Sequence, residues 1–271
     1  MARIVYTADT LGQIHPCASC GDNAQGGLAR RARLLRVLAA ETPRPLILAG
    51  PNEFYADKDD GAPGDRGKTA ALLREAFAAM PYAAIYFSDA DAARLRQSGL
   101  ALPPSGVAVG GSPVVRFFQS GAFTAGCVFL PPGDGPRGTP TPEQLAAAQQ
   151  AARKAAARAR LVIGIAPWGI LAENARMPDL AGYFSLVLGG GPGIAVPGQA
   201  TGSDAAPGPL WARADRLGRA LTVLDIHSLP EGPASPWIEG LHFTSRLIPL
   251  EKELPEDEAI RALFSAGPPS P

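Results

Sequence analysis

The chain has 271 residues, 46% of them hydrophobic, which is enough for one layered α/β domain with a sizeable core. The 25 basic and 25 acidic residues cancel, so the composition gives no indication of a nucleic-acid or anionic-membrane partner. No stretch approaches the roughly 20 apolar residues of a membrane span. Three cysteines are too few for a disulfide framework.

The sequence leaves the cellular compartment open. Residues 3–6 already have the pattern of a first strand, so no secretory signal is predicted within the chain. A periplasmic or envelope location would require a leader ahead of residue 1, and without one the expected location is the cytoplasm.

Apolar runs of strand length alternate with helical segments along the chain. Strands are predicted at residues 4–8, 45–49, 83–87, 107–109, 114–119, 123–130, 161–166, 184–189 and 219–226. Helices are predicted at residues 27–41, 69–80, 90–97, 142–159 and 256–264. Continuous apolar strands between helices favour an α/β fold, in which ligands bind at the carboxyl ends of the strands. We expect one domain over residues 1–265, followed by a flexible Pro-rich tail at residues 266–271.

Three strand-end and helix-start motifs occur in a characteristic order. The first strand ends in Asp9-Thr-Leu-Gly, the next helix opens Gly-Gly-Leu-Ala-Arg-Arg at residues 26–31, and the second strand ends in Ala-Gly-Pro at residues 49–51. This series resembles the calcineurin-like metallophosphoesterases, most closely the catalytic domain of bacterial 5′-nucleotidases. The resemblance extends over most of the chain. It implies a four-layer α/β/β/α sandwich with mixed sheets.

The resemblance also implies a site for two metal ions held by Asp, His and Asn side chains, which activate a water for attack on phosphorus. Only Asp9 keeps its expected identity. Leu11 and Ala90 stand at two histidine positions, and Pro51 stands at the bridging Asp. The two later histidine motifs are replaced by Ala-Pro at residues 166–167 and Gly-Gly-Gly-Pro-Gly at residues 189–193. Leu, Pro, Ala and Gly side chains cannot bind a divalent ion.

We therefore predict a catalytically degenerate domain that is not an active metallophosphoesterase. It would act as a binding or assembly module with an unidentified protein partner and no cofactor. One alternative is a remnant phosphoesterase in which Asp9, Asp89 and Asp91 hold a single divalent metal.

A second alternative is a thiol-redox protein. The loop after the first strand contains His15, followed by Cys17 and Cys20 just before a helix start, where the helix dipole lowers a thiol pKa. Cys17 would be the nucleophile and Cys20 the resolving thiol. The pair could equally tether the loop, or join His15 in a zinc site that lacks a clear fourth ligand.

Two polar features near the same strand ends have ordinary structural interpretations. Backbone amides of residues 189–193 could face an anion, but glycines at a strand end also form simple turns. Arg30, Arg31 and Arg33 are predicted to form a solvated helix face.

A thiol titration tests the redox alternative. If Cys17 is a redox nucleophile, it reacts with a disulfide reagent at neutral pH faster than an unperturbed thiol does. An unreactive Cys17, or a Cys17→Ser variant with unchanged function, would remove this alternative.

Overall fold

The structure, a computed structural model, describes residues 1–16, 25–55, 63–232 and 235–265. The strands are β1 Ala2–Thr7, β2 Leu46–Ala49, β3 Ala84–Ser88, β4 Gly106–Val109, β5 Val114–Ser120, β6 Phe123–Phe129, β7 Leu161–Ala166, β8 Leu186–Gly189, β9 Val196–Ser203, β10 Ala206–Arg213, β11 Ala220–Ile226 and β12 Phe243–Pro249. The helices are α1 Leu28–Glu41, α2 Pro63–Ala79, α3 Asp89–Gln97, α4 Pro142–Ala156, α5 Ile170–Leu180 and α6 Glu258–Ser265.

The strands form two mixed sheets of six. The first has the order β12-β11-β1-β2-β3-β4, in which β1 to β4 are parallel. The second has the order β5-β6-β7-β8-β10-β9, in which β6, β7, β8 and β10 are parallel. The outer strands β11, β12, β5 and β9 run antiparallel to their neighbours. The loops that follow the parallel strands of each sheet therefore emerge at one edge.

Successive side chains along a strand point to opposite faces of the sheet, and both faces of each sheet are covered by apolar residues. Ile4 of β1 packs in the core between the sheets with Ile163 of β7, whereas the next residue, Val5, packs against the helices outside the first sheet. Val162 of β7 likewise packs outward with the apolar face of α4. This period of two gives helices, sheet, sheet and helices in succession, which confirms the predicted α/β/β/α sandwich with mixed sheets.

Local capping explains where two helices begin. Ser88 accepts a hydrogen bond from the Asp91 amide at the start of α3, and the Asp91 carboxylate accepts one from the Ser88 amide. Thr141 and Gln144 form the same reciprocal capping box at the start of α4.

Several elements differ from the sequence-based prediction. Helix α2 begins six residues earlier than the predicted 69, because residues 63–68 are helical. Helix α5 was not predicted, and it contains Pro178, which normally disfavours a helix interior. The β9–β10 hairpin was also missed, because β9 is rich in Gly and Pro and shows no apolar alternation. The predicted hairpin between β5 and β6 is confirmed, with Gly121 at φ 55° in its turn.

No helix within the described ranges combines the length and the apolar character needed to cross a bilayer. The predicted tail at residues 266–271 lies outside the described residues.

Truncation of a side chain between the sheets should show how much the core between them contributes to the free energy of unfolding. Phe129 is fully buried in the inter-sheet core. We expect Phe129→Ala to lower the free energy of unfolding by about 3–5 kcal/mol in urea denaturation. Val37→Ala, at a position 38% exposed, is the control and should cost less than about 1 kcal/mol. A loss at Phe129 no larger than the control's would contradict this packing.

Candidate functional site

The carboxylate of Asp9 lies where the loops after β1, β2 and β8 meet. Both of its oxygens are 2.9 Å from the amide nitrogen of Gly191, and the Asn52 side-chain amide donates to Oδ1 at 2.8 Å. Asp9 is only 2% exposed. The predicted metal ligand Asp9 thus accepts hydrogen bonds from the chain itself.

A short backbone ladder positions Asp9. The amide of Asp9 donates to the Pro51 carbonyl at 2.9 Å, and the amide of Leu11 donates to the Asn52 carbonyl at 2.8 Å. Asp9, Leu11 and Asn52 all have left-handed backbone conformations, with φ between 55° and 59°. Such conformations cost of order 1 kcal/mol or more for a residue other than glycine, so the surrounding hydrogen bonds must hold them in place.

Burial dominates the electrostatics of Asp9. It raises the pKa of this carboxyl to about 6, while the hydrogen bonds from Asn52 and Gly191 and the charge of Arg213 act in the opposite direction. Glu53 raises the pKa further by like-charge repulsion. Ionised Asp9 therefore carries a desolvation cost in the folded protein.

A second buried carboxylate binds the neighbouring amide of the glycine-rich loop. Glu173 of α5 accepts hydrogen bonds from the Gly190 amide at 3.1 Å and the Trp211 indole at 3.0 Å, and it forms an ion pair with Arg213. Burial raises the pKa of Glu173 to about 7, against the lowering effect of Arg213 and the other donors. Arg213 also donates to the Gly191 carbonyl at 2.8 Å. Because Glu173 and Asp9 bind these two amides, the amides are not open to an external anion in this arrangement.

A third buried network lies behind Asp9. Arg31 of α1 pairs with Glu53 at 3.1 Å and donates to the Thr10 hydroxyl at 2.6 Å. Glu53 also accepts from the Thr7 hydroxyl at 2.5 Å and from the Thr10 hydroxyl. The predicted solvated arginine face is therefore wrong for Arg31, which is 1% exposed, and right for Arg33, which is exposed.

The spacing of Arg31 could have revealed its burial. It lies three residues after Leu28 and four before Leu35, which places all three on the apolar face of α1. Glu173 offered no such signal, because α5 itself was not predicted.

Direct contacts also join the two sheets at this edge. The Tyr6 hydroxyl of β1 donates to the Gly189 carbonyl at 3.2 Å, and the Tyr86 hydroxyl of β3 donates to the Leu130 carbonyl at 2.9 Å. The Pro51 ring lies so close to Gly190 that a Cβ there would be 2.4 Å from the ring. Together with the bond from the Gly191 amide to Asp9, these contacts link the strand ends of the two sheets.

The three predicted remnant metal ligands, Asp9, Asp89 and Asp91, make different contacts. Asp91 caps α3 with Ser88, and the exposed Asp89 lies against Gly110, where a Cβ would be 2.8 Å from Oδ2. Within residues 1–16, 25–55, 63–232 and 235–265, no group of three or more His, Cys, Asp and Glu side chains could hold a metal ion. The side chains that the structure describes therefore do not fit a two-metal centre.

The structure describes the cysteine loop only as far as residue 16. Cys17 and Cys20 lie outside the described residues, so the redox and zinc alternatives stay predictions. His15 is exposed, and its ring meets Phe264 edge-on with centroids 6.1 Å apart. The third cysteine, Cys127, is fully buried, and burial raises its thiol pKa far above the usual range.

Comparison with solved structures identifies the fold. The chain aligns with the 5′-nucleotidase precursor of Thermus thermophilus at TM-score 0.71 and 16% identity, covering 98% of this chain and 58% of the other. It aligns with the sulfate thiohydrolase SoxB of Thermus thermophilus at TM-score 0.70 and 14% identity, covering 98% and 60%. The calcineurin-like phosphoesterase YfkN of Bacillus subtilis gives TM-score 0.60 and 14% identity, covering 98% and 96%.

No protein-family model and no curated protein sequence matches the chain. The protein has the fold of the calcineurin-like phosphoesterases and, within that fold, is similar to the 5′-nucleotidase-like domain. The chain spans about three fifths of the length of the two Thermus proteins.

The raised pKa of Asp9 predicts a specific pH dependence. Because the folded-state pKa of about 6 exceeds the ordinary value of 3.8, the stabilising effect of a protonated Asp9 is fully present well below pH 3.8 and is lost as pH rises through 6. Relative to an Asp9→Asn variant, the wild-type protein should lose about 2 kcal/mol of unfolding free energy between pH 4 and pH 7. Urea denaturation across this range checks it, and a difference that does not vary with pH would contradict it.

The buried Arg31–Glu53 pair predicts a non-additive double-mutant cycle. Arg31→Met leaves Glu53 as a buried, uncompensated charge and should cost about 3–5 kcal/mol. Adding Glu53→Gln to that variant should recover at least about 1 kcal/mol. Arg33→Met on the exposed face of α1 is the control and should change stability by less than about 0.5 kcal/mol. Additive losses in the cycle would show that the two side chains are not coupled.

Proposed function

We propose that this protein is a catalytically degenerate member of the metallophosphoesterase fold that acts as a non-hydrolytic binding or assembly module for a protein partner. The observation that carries the proposal is the set of contacts that the described strand ends make with one another. Asp9 is bound to the Gly191 amide and Asn52, and the Pro51 ring packs on Gly190.

Phosphoester hydrolysis needs a nucleophile and a means of stabilising charge on the phosphoryl oxygens. Leu11 and Ala90 supply neither a metal ligand nor a proton-transfer group. Asp9 has a pKa suited to general-base work, but with 2% exposure it has no room for both a water and a substrate. Among the described residues, Arg31 and Arg213 are buried in ion pairs with Glu53 and Glu173. This arrangement supports a scaffold without hydrolytic chemistry.

The activities of the structural neighbours do not select a substrate. One is a 5′-nucleotidase and another a sulfate thiohydrolase, although both share the fold. Activity within a fold is set by the side chains of the site, so the shared fold alone names no substrate for this chain. The replacement of the expected ligand types at Leu11, Pro51 and Ala90, which the sequence resemblance implies, supports a changed role.

Metal analysis of the purified protein tests the proposal. After incubation with Mn²⁺ or Zn²⁺ and removal of free ions, we expect far less than one metal equivalent per chain. Hydrolysis of p-nitrophenyl phosphate and of a bis-aryl phosphodiester should stay at the level of a buffer blank. An Asp9→Ala variant is the matched control and should give the same result in both assays.

About two equivalents of metal that are lost in Asp9→Ala, together with phosphatase activity, would refute the proposal. One equivalent lost in both Asp9→Ala and Asp89→Ala would instead establish the remnant single-metal alternative.

A further inference from the structure

Four positive charges cluster at the end of α4. Arg153 and Lys154 lie in its last turn, and Arg158 and Arg160 follow before β7 begins. All four are exposed, and residues 153–160 contain no acidic residue. None of the four takes part in the ion pairs of the described residues.

The helix dipole accounts for only part of this charge. Basic residues in the last turn of a helix interact favourably with the partial negative charge at its C-terminal end, which is about half an elementary charge. Arg158 and Arg160 lie beyond that turn, so the positive charge exceeds what the helix end needs. In a chain with no net charge, this is a local excess.

Aromatic rings hold two of the arginines in place. The Arg153 guanidinium lies 5.0 Å from the ring centroid of Tyr183 and donates to its hydroxyl at 2.9 Å. The Arg158 guanidinium lies 4.3 Å from the ring centroid of Phe117. A guanidinium stacked on a ring keeps N–H groups at its edge free to bind a carboxylate in a bidentate manner. These are pre-ordered cations, which lowers the entropy cost of binding an anion.

A cavity of about 270 Å³ lies beside this cluster. Arg160 and Tyr183 form part of its wall, together with Ala156, Phe184 and Trp237. The cavity is at the start of β7 and β8, the end of the strands opposite to Asp9 and Gly191. It therefore belongs to a different surface from those strand ends. The cavity wall contains the aromatic rings of Tyr183, Phe184 and Trp237 beside the positively charged Arg160.

We propose that the surface formed by Arg153, Lys154 and Arg160 with the adjoining cavity binds an acidic peptide segment of a partner protein, whereas Arg158, over Phe117 of β5, lies outside it. Carboxylates of the segment would pair with the arginines, and one apolar side chain would enter the cavity against Trp237. Charge complementarity fixes the sign of the ligand, and the apolar wall favours a peptide over a nucleic-acid backbone. Glu231, between the cavity residues Pro230 and Gly232, would lie at the edge of the bound segment and disfavour a uniformly acidic ligand there.

The peptide-binding proposal rests on the proposed binding role only in one respect, namely that the bound peptide would belong to the partner of that role. The surface can bind a peptide whether or not the strand ends hydrolyse phosphoesters. Metal analysis decides the first question and peptide binding the second, so each can fail alone.

Fluorescence anisotropy with a labelled peptide of glutamates around one central leucine tests the surface. Saturable binding is expected at low salt, with a loss in about 1 M salt, where the Debye length is about 3 Å. The double variant Arg153→Glu with Arg160→Glu should weaken binding by at least about tenfold. Arg33→Glu with Arg96→Glu, two exposed arginines on α1 and α3, makes the same change in net charge and should stay within about twofold.

A second variant separates the contribution of the cavity to peptide binding from the contribution of the positive charges. Ala156→Trp places a ring at the exposed cavity wall without changing any charge. The leucine-centred peptide should bind wild-type protein more tightly than a glycine-centred one, and Ala156→Trp should remove that difference. Arg153→Lys with Arg160→Lys keeps the charges and should bind better than the glutamate variant.

Three results would overturn the proposal. The first is no saturable binding of the leucine-centred peptide, and the second is an equal loss in both double arginine variants. The third is tighter binding of a single-stranded DNA oligonucleotide that is lost in the Arg153→Glu, Arg160→Glu variant, which would make this a nucleic-acid surface.

Discussion

Two successive backbone amides, those of Gly190 and Gly191, bind the carboxylates of Glu173 and Asp9, and the arrangement of the strand ends depends on these contacts. Both carboxylates are buried, so each must be compensated by hydrogen bonds or by a cation. Arg213 supplies the cation for Glu173 and lies near enough to Asp9 to lower its pKa. The Gly190 and Gly191 amides thus donate to carboxylates of the same chain. In this arrangement they are not available to bind a phosphate.

The same contacts join the two sheets at their strand ends. Asp9 follows a strand of one sheet and Gly191 follows a strand of the other, so their hydrogen bonds join the sheets directly. Tyr6 and Tyr86 add two more bonds of this kind. The fold is similar to that of a 5′-nucleotidase and a sulfate thiohydrolase. Such a scaffold is free to carry function elsewhere, and the basic cavity at the other end of β7 and β8 is our candidate.

The layered fold was predictable because its inner strands are continuous apolar runs and because residues 26–31 carry a specific motif. The resemblance also predicts that Leu11, Pro51 and Ala90 stand at metal-ligand positions. The hydrogen bonds from the Gly190 and Gly191 amides to Glu173 and Asp9 could not be predicted, because every residue type except proline carries a backbone amide. Glu173 was missed with its Pro-containing helix, and β9 because an exposed edge strand needs no apolar alternation. Cys17 and Cys20 remain a sequence-based hypothesis.

A crystal structure of the protein soaked in Mn²⁺, with anomalous data collected, tests the central claim most directly. The account predicts no anomalous peak within coordination distance of Asp9, and a Gly191 amide still bonded to its carboxylate near 2.9 Å. Two peaks about 3.5–4 Å apart beside Asp9, with the Gly191 loop displaced, would contradict it and restore a two-metal phosphoesterase.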